Sequence, residues 1–367
     1  MPALGSDMEA GTLVAWRRKP GDHLQRGDII AEVETDKGTI EVEVWSTGVL
    51  ERYLVEPGQK VPVGTPLAVL RDDTNATAPV TPIEVPAVSR IRSSPAARKR
   101  ARELGVDLAA VHATGSHGTI TLDDVGRSVA ATSVATPTAP TPPSVDRQRA
   151  LRRAIATSMA RSKREVPHYY LSTDINFAAA SSWLERHNAE HGMHERLLAG
   201  VLLLKASAVA AKRMPEFNAF WTDDEARPGP NVHLGVAISL RGGGLVAPAI
   251  HDADGKSLVE LMSALQDLTT RARAGSLRSS ELSDATITVT SLGERGVETV
   301  FPIIYAPQTA IVGFGRITPR PWVVDGTLAV RPVVTATLAA DHRATDGHLG
   351  ARFLALIDTL LQEPAKL

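Results

Sequence analysis

Two short stretches of this chain hold residue types that could do chemistry together. Glu34-Thr35-Asp36-Lys37-Gly38 sets one lysine among carboxylates near one end, and Asp341-His342-Arg343-Ala344-Thr345-Asp346-Gly347 sets one histidine ahead of an Asp-Gly pair near the other. An imidazole suits removal of a thiol proton, because its ordinary pKa of about 6.5 lies below the thiol value of about 8.5 yet close to working pH. A thiolate attacking an acyl carbonyl then needs a donor for the oxyanion. Thr290, which ends the run Thr286-Ile287-Thr288-Val289-Thr290, is the candidate. Lys37 lies between Ile29-Ile30-Ala31-Glu32-Val33 and Ile40-Glu41-Val42-Glu43-Val44, two strand-like segments whose hairpin would present the lysine at its tip as an attachment point. The chain has no cysteine, so any sulfur chemistry requires a prosthetic group or a bound thiol, and no thiolate metal site exists. No metal is expected.

The elements that must position these residues fall into several units. A length of 367 residues with 43% hydrophobic content exceeds what one small core takes. The net charge of −1 argues against bulk attraction to nucleic acid or anionic membrane. Aromatics are sparse around the basic stretches at Arg98 and Arg161, so no nucleic-acid partner is expected. The longest apolar run, Leu197 to Leu204, is far shorter than the roughly 20 residues that span a bilayer, and it reads as a buried helix. Met1 to Asp7 offers no basic segment followed by an apolar run; the expectation is a cytoplasmic protein with no membrane partner.

Residues 1–72 are β-rich and punctuated by glycine, and they contain an internal echo. Lys19-Pro20-Gly21-Asp22 with Gly27-Asp28-Ile29 resembles Glu56-Pro57-Gly58-Gln59 with Gly64-Thr65-Pro66, which predicts a duplicated β-unit forming a flattened two-sheet sandwich. An Ala/Pro/Thr tether covers 73–91. Residues 92–128 predict a small helical unit with Ser94 as cap, Pro95 at the first helical position and Gly105 as stop, then a short helix near Leu122 to Val125. A second Pro/Thr/Ala tether covers 129–145. Residues 146–367 predict one α/β unit, with helices at Leu151 to Arg164 and Leu258 to Arg273 and strands at Val232 to Leu240, Ala285 to Thr290 and Val333 to Leu338. A last helix carries Leu349, Phe353, Leu356, Ile357, Leu360 and Leu361 on one face, with Pro364 beyond its end.

The stretch around Lys37 resembles the lipoyl domain, in which this lysine is amide-linked to lipoic acid. Biotin carriers share the hairpin but usually flank the lysine with methionine, where this chain has Asp36 and Gly38. Asp341-His342-Arg343-x-x-Asp346-Gly347, together with Leu151-Arg152-Arg153-Ala154-Ile155-Ala156, Pro215-Glu216-Phe217-Asn218-Ala219 and Gly244-Leu245-Val246-Ala247-Pro248-Ala249-Ile250, resembles the dihydrolipoamide acyltransferases, the core component of 2-oxo acid dehydrogenase complexes. The resemblance implies a multidomain chain: an all-β lipoyl sandwich, a small α-helical peripheral subunit-binding domain and an α/β acyltransferase domain of the chloramphenicol acetyltransferase type. It implies lipoic acid on Lys37, coenzyme A as substrate, His342 as base, Thr290 as oxyanion donor and Asp346 ordering the loop. Trimers with active sites at subunit interfaces follow from the same resemblance, and larger particles built from them. Arg98, Lys99, Arg100 and Arg102 become the contacts to partners, namely a thiamine-diphosphate-dependent 2-oxo acid or acetoin dehydrogenase component and dihydrolipoamide dehydrogenase. Thr119 stands where the family commonly has Arg. Acetyl is the favoured acyl group, with succinyl and branched-chain groups as alternatives. Two rivals are a free-standing hydroxyl acyltransferase, against which the lipoyl-like domain argues, and a non-catalytic tether of such a complex, against which His342 and Thr290 argue.

Overall fold

The computed structural model describes residues 10–35, 38–71, 145–240, 244–293 and 296–367, with the isolated positions 96–97, 120–121 and 124. Lys37, the basic positions Arg98, Lys99, Arg100 and Arg102, the Ser94 cap, Gly105 and both tether segments, 73–91 and 129–144, lie outside the described residues. Two compact units emerge, one combining residues 1–74 with 145–367 and the other covering 75–144. Within the second unit, the backbone N–H of Thr121 donates to the Asp124 carboxylate and that of Asp124 donates to the Thr121 hydroxyl, the reciprocal pairing of a helix start.

The N-terminal β-unit follows the predicted duplication. Strands β1 (Ala10–Trp16), β3 (Ile29–Thr35), β4 (Gly38–Glu43) and β6 (Lys60–Pro62) form one sheet, and β2 (His23–Leu24), β5 (Gly48–Tyr53) and β7 (Ala68–Arg71) the other. Alternation along the strands sends Leu13, Ile30, Val33, Ile40, Val42, Leu50 and Val61 into the space between the sheets. The echo is a matter of backbone as well as sequence. Gly21 and Gly58 close equivalent turns at φ 97° and 89°, and Gly27 and Gly64 do so at 94° and 89°, a region costly for residues with a Cβ. β3 and β4 pair antiparallel through Thr35↔Gly38, so the two strands predicted to flank Lys37 do form one hairpin.

The C-terminal α/β unit is built on a seven-stranded sheet. Its members are β8 (His168–Asn176), β11 (Leu234–Val236), β14 (Ala249–Ile250), β16 (Ile287–Ser291), β17 (Ala310–Phe314), β18 (Thr318–Val324) and β19 (Thr327–Asp341). Short pairs β9 (Ala219–Thr222) with β10 (Glu225–Pro228) and β12 (Ile238–Ser239) with β13 (Leu245–Val246) stand apart, and β15 (Leu277–Arg278) pairs with β4. The helices are α1 (Val145–Glu165), α2 (Ala178–Glu190), α3 (Ala199–Arg213), α4 (Leu258–Ala274), α5 (Ser279–Ser283) and α6 (Gly347–Gln362).

The buried helix expected at Leu197–Leu204 is α3, which begins only at Ala199, with Leu198 exposed before it, and in which Val201 to Ala208 are all buried. Its one ammonium in that stretch, Lys205, donates to the carbonyls of Asp254 and Lys256, and burial lowers its pKa. α4 starts where Ser257 and Glu260 form a capping box and stops at Gly275. α6 buries Phe353, Leu354, Ile357, Leu360 and Leu361, a spacing that gives one apolar face, and Phe353 packs its ring against Phe217.

Candidate active site

β19 is the element that delivers the histidine. It is fifteen residues long, and its second half is buried from Val333 through Asp341 between β17 on one side and β8 on the other. Runs such as Val333-Val334-Thr335-Ala336-Thr337-Leu338 satisfy a central strand covered on both faces. The strand ends at Asp341, opposite His168, and the chain turns through His342, Arg343 and Ala344 into α6.

That turn is locked from within. Asp341 is fully buried, and its carboxylate accepts from the Arg343 backbone N–H at 2.9 Å, from Arg343 Nε at 3.0 Å and from Arg343 Nη2 at 2.7 Å. The Asp341 carbonyl accepts from the N–H groups of Ala344 and Thr345, both at 3.0 Å. The Arg343 guanidinium lies 4.6 Å from the centre of the Trp221 ring, which holds it from the other side. Removing Arg343 would strand a buried carboxylate. Arg343→Ala is therefore expected to cost about 2–3 kcal/mol, at the low side of a buried pair because the arginine is 33% exposed, and a urea titration reads it directly.

His342 projects from this turn to the protein surface. Its backbone N–H donates to the Pro167 carbonyl at 3.0 Å, while its exposed ring makes no hydrogen bond among the described residues. The ring is set by an edge contact with Tyr169, at a centroid distance of 5.3 Å and an interplanar angle of 71°. Tyr169 is itself fixed by a hydrogen bond of 2.9 Å between its hydroxyl and that of Thr345, and burial raises its pKa, so it stays a neutral phenol. Gly350 makes room for it: a Cβ there would lie 3.0 Å from the Tyr169 ring and 2.7 Å from Leu171. Gly350→Ala is expected to tilt Tyr169 and the histidine it supports, lowering turnover more than it lowers the melting temperature.

Asp346 caps α6 by accepting from the Leu349 N–H at 2.9 Å. Its carboxylate is committed to the helix rather than to the His342 ring. His168, opposite Asp341, is a neutral structural imidazole: Nδ1 donates to the Val166 carbonyl at 2.8 Å, Nε2 accepts from the Ile304 N–H at 3.2 Å, and burial lowers its pKa.

Thr290 lies elsewhere. Thr286, just before β16, bonds the Asn218 side chain, and Thr288 on the strand bonds the Gln308 side chain. Thr290, half-buried, is the threonine whose hydroxyl has no hydrogen-bond partner among the described residues. Register fixes its level in the sheet: Thr290 pairs with Gly313, and Gly313 with Thr337. Asp341, the last residue of β19, lies four residues beyond Thr337, which at the rise of a strand is about 13 Å further along, and His342 follows it on the turn. A hydroxyl and an imidazole serving one carbonyl must both come within about 3 Å of it. The register thus sets Thr290 and the turn that bears His342 at different levels of the sheet within one chain.

The residues missed from the sequence are Asp341 and Arg343, named in the motif but given no role, and Tyr169, Thr345 and Gly350. A buried Asp beside an Arg two positions on was the available signal for the first pair. Nothing in the sequence pointed to Tyr169.

Comparison with known proteins bears on the domains and the family. The model of the 2-oxoacid dehydrogenases acyltransferase catalytic domain covers residues 142–367, that of the biotin/lipoyl domain, described as biotin-requiring enzyme, residues 1–70, and that of the e3 binding domain residues 91–126. The chain is 31% identical, over all of its length and 97% of the relative's, to the dihydrolipoyllysine-residue acetyltransferase component of the pyruvate dehydrogenase complex of Rickettsia bellii. A crystal structure of a probable dihydrolipoamide acetyltransferase from Listeria monocytogenes superposes with a TM-score of 0.55 at 30% identity, covering 63% of this chain and 97% of that one. The cubic core of a pyruvate dehydrogenase multienzyme complex gives a TM-score of 0.55 at 29% identity, covering 62% and 98%. Among the described residues no helix is long and apolar enough to cross a membrane. The multidomain architecture read from the sequence, carrier sandwich, small binding unit and α/β acyltransferase, is the one present, and the chain belongs to the 2-oxoacid dehydrogenase acyltransferase family.

Proposed function

We propose that this chain transfers an acetyl group from a thioester carried on Lys37 to coenzyme A, as the core of a pyruvate dehydrogenase type complex. The observation that carries the reading is His342, whose exposed ring has no hydrogen-bond partner among the described residues and stands on a turn held by the pairing of Arg343 with the buried Asp341. A base so placed meets a soluble thiol without first breaking an internal hydrogen bond. His342 removes the thiol proton of coenzyme A; the sulfur forms a bond to the acyl carbon; the Thr290 hydroxyl of a neighbouring copy donates to the oxyanion. The donor carbon–sulfur bond then breaks, and the departing thiolate takes the proton back from His342. Asp346 serves by fixing the start of α6, and with it the end of the turn.

The residues present fit lipoic acid. The β3–β4 hairpin is paired from Ile29↔Glu43 to Thr35↔Gly38, a firm base for an arm at the two positions between, and a chain without cysteine needs a borrowed thiol. Joined to Lys37, lipoic acid would supply a dithiol on a long flexible reach. In this reading residues 1–72 are the carrier domain, 92–128 the partner-binding domain and 146–367 the acyltransferase. Arg98, Lys99, Arg100 and Arg102 bind a thiamine-dependent dehydrogenase component and dihydrolipoamide dehydrogenase, the match to an e3 binding domain supporting the second. The chains assemble as trimers, and the location is cytoplasmic. Acetyl is preferred to succinyl or branched-chain groups on the names of relatives such as that of Rickettsia bellii.

Intact mass after expression with lipoylation capacity is expected to show a lipoyl increment that maps to Lys37 and disappears in Lys37→Arg. Acetyl-dihydrolipoamide is expected to outperform its succinyl and isobutyryl counterparts as donor. No increment together with no transfer from any donor would overturn the proposal; preference for another acyl group would overturn the acetyl assignment alone.

A further inference from the structure

The carrier sandwich leaves one strand edge to be satisfied, and a strand of the acyltransferase domain satisfies it. β4 pairs on one side with β3 and on the other with β15, in parallel, through Leu277↔Ile40 and Arg278↔Glu41. An open strand edge is a ready template for such addition, and here the register sets an arginine opposite a glutamate.

Side chains reinforce the backbone pairing. Glu43, at the end of β4, is 7% exposed, and its carboxylate accepts from both the backbone N–H and the hydroxyl of Ser280, while its own N–H donates to the Ser279 hydroxyl at 3.3 Å. Leu282, on the same short helix, packs against the sandwich core. The receiving segment is braced from behind. Arg271 grips Glu281 with both terminal nitrogens, and Glu281 also accepts from the Arg278 N–H at 2.9 Å, so β15 and α5 need little ordering to take up β4.

We infer that the Leu277–Leu282 segment is a docking site for the carrier sandwich of the same chain, at which β4 rests between visits to partners. The contact is small: two strand pairs, one carboxylate and one leucine. Between separate molecules that would be weak. Within one chain, joined through residues 75–144, the sandwich meets the site at an effective concentration of about millimolar, enough to populate a weak contact while leaving it easy to break. A carrier that must travel requires both properties. The latch is specific, because a sandwich lacking the carboxylate at Glu43 would leave the Ser280 hydroxyl and backbone N–H without that partner.

The absence of native cysteine makes the test clean. Glu41→Cys with Arg278→Cys places two thiols on paired strand positions, whose Cα spacing of about 5 Å lies in the disulfide range. Mild oxidation of the full-length protein is expected to give a disulfide within one chain, seen as a single-chain band on a non-reducing denaturing gel and as a linked 41–278 peptide pair by mass spectrometry. Adding Ser280→Asp, which sets a second carboxylate against Glu43, is expected to lower the yield by about tenfold or more, and Glu43→Lys is expected to do the same from the opposite face. No disulfide, a disulfide that joins two chains, or a yield unmoved by both substitutions would overturn the inference. The cross-link forms whether or not Lys37 is acylated, so its failure and the failure of acetyl transfer read separately.

Discussion

His342→Ala is expected to lower kcat for transfer from acyl-dihydrolipoamide to coenzyme A by about 10²–10⁴-fold, the usual contribution of a positioned general base. The fold should not suffer. The His342 ring is exposed, its aromatic contact among the described residues is with the edge of Tyr169, and the hydrogen bond that anchors the turn comes from its backbone N–H, which alanine retains. The Asp341–Arg343 pair, which holds the turn, is untouched. Coenzyme A affinity should change little, because a base that acts on the developing charge contributes in the transition state rather than the ground state. A steady-state assay with the variant at matched urea stability checks each part. Activity near that of the unaltered chain would remove His342 from the chemistry and favour the tether reading.

How much of this was legible beforehand differs from element to element. The hairpin around Lys37 and the duplicated glycine turns could be read because both are local: the strands alternate, and the repeated Pro-Gly turns recur at fixed offsets. The C-terminal helix was equally plain from its apolar face. The sequence pattern marks only Val333 to Leu338 of the long strand β19, because its first half is exposed and mixed in character; the hairpin signal for that half is the Asp325-Gly326 turn, with φ of 49° and 80° and Val324 paired to Thr327. β8 was not foreseen, since His168-Tyr169-Tyr170-Leu171-Ser172-Thr173 shows little period-two contrast and is a strand through its pairing with β19. Two facts of the site depend on non-local register and could not be read from composition or spacing. One is Glu43 meeting Ser280, 237 positions away. The other is the level of Thr290 in the sheet, which follows from parallel pairing of β16 with β17 and antiparallel pairing of β17 with β19.

That second fact yields the sharpest test of assembly. Thr290→Ala alone is expected to reduce kcat by about 10²–10³-fold, the loss typical of one oxyanion donor. If a single chain held a complete site, mixing His342→Ala chains with Thr290→Ala chains would recover nothing, since no chain would possess both groups. The register sets the end of β19 about 13 Å beyond the level of Thr290 along the sheet, and in the proposed reaction each working site draws its imidazole and its hydroxyl from different chains. Chains denatured separately, mixed in equal amounts and refolded together are then expected to regain about one quarter of the unaltered activity, because half of the imidazole positions and half of the hydroxyl positions are intact and they combine at random. Both parents remain at their low levels when refolded alone. Recovery near one quarter also reports that neighbouring copies meet in a ring or other closed arrangement in which every imidazole has a neighbour's hydroxyl to face. No recovery above the parents, with mixed assembly verified by mass, would return both groups to one chain or remove Thr290 from the reaction, and the oxyanion would need a different donor.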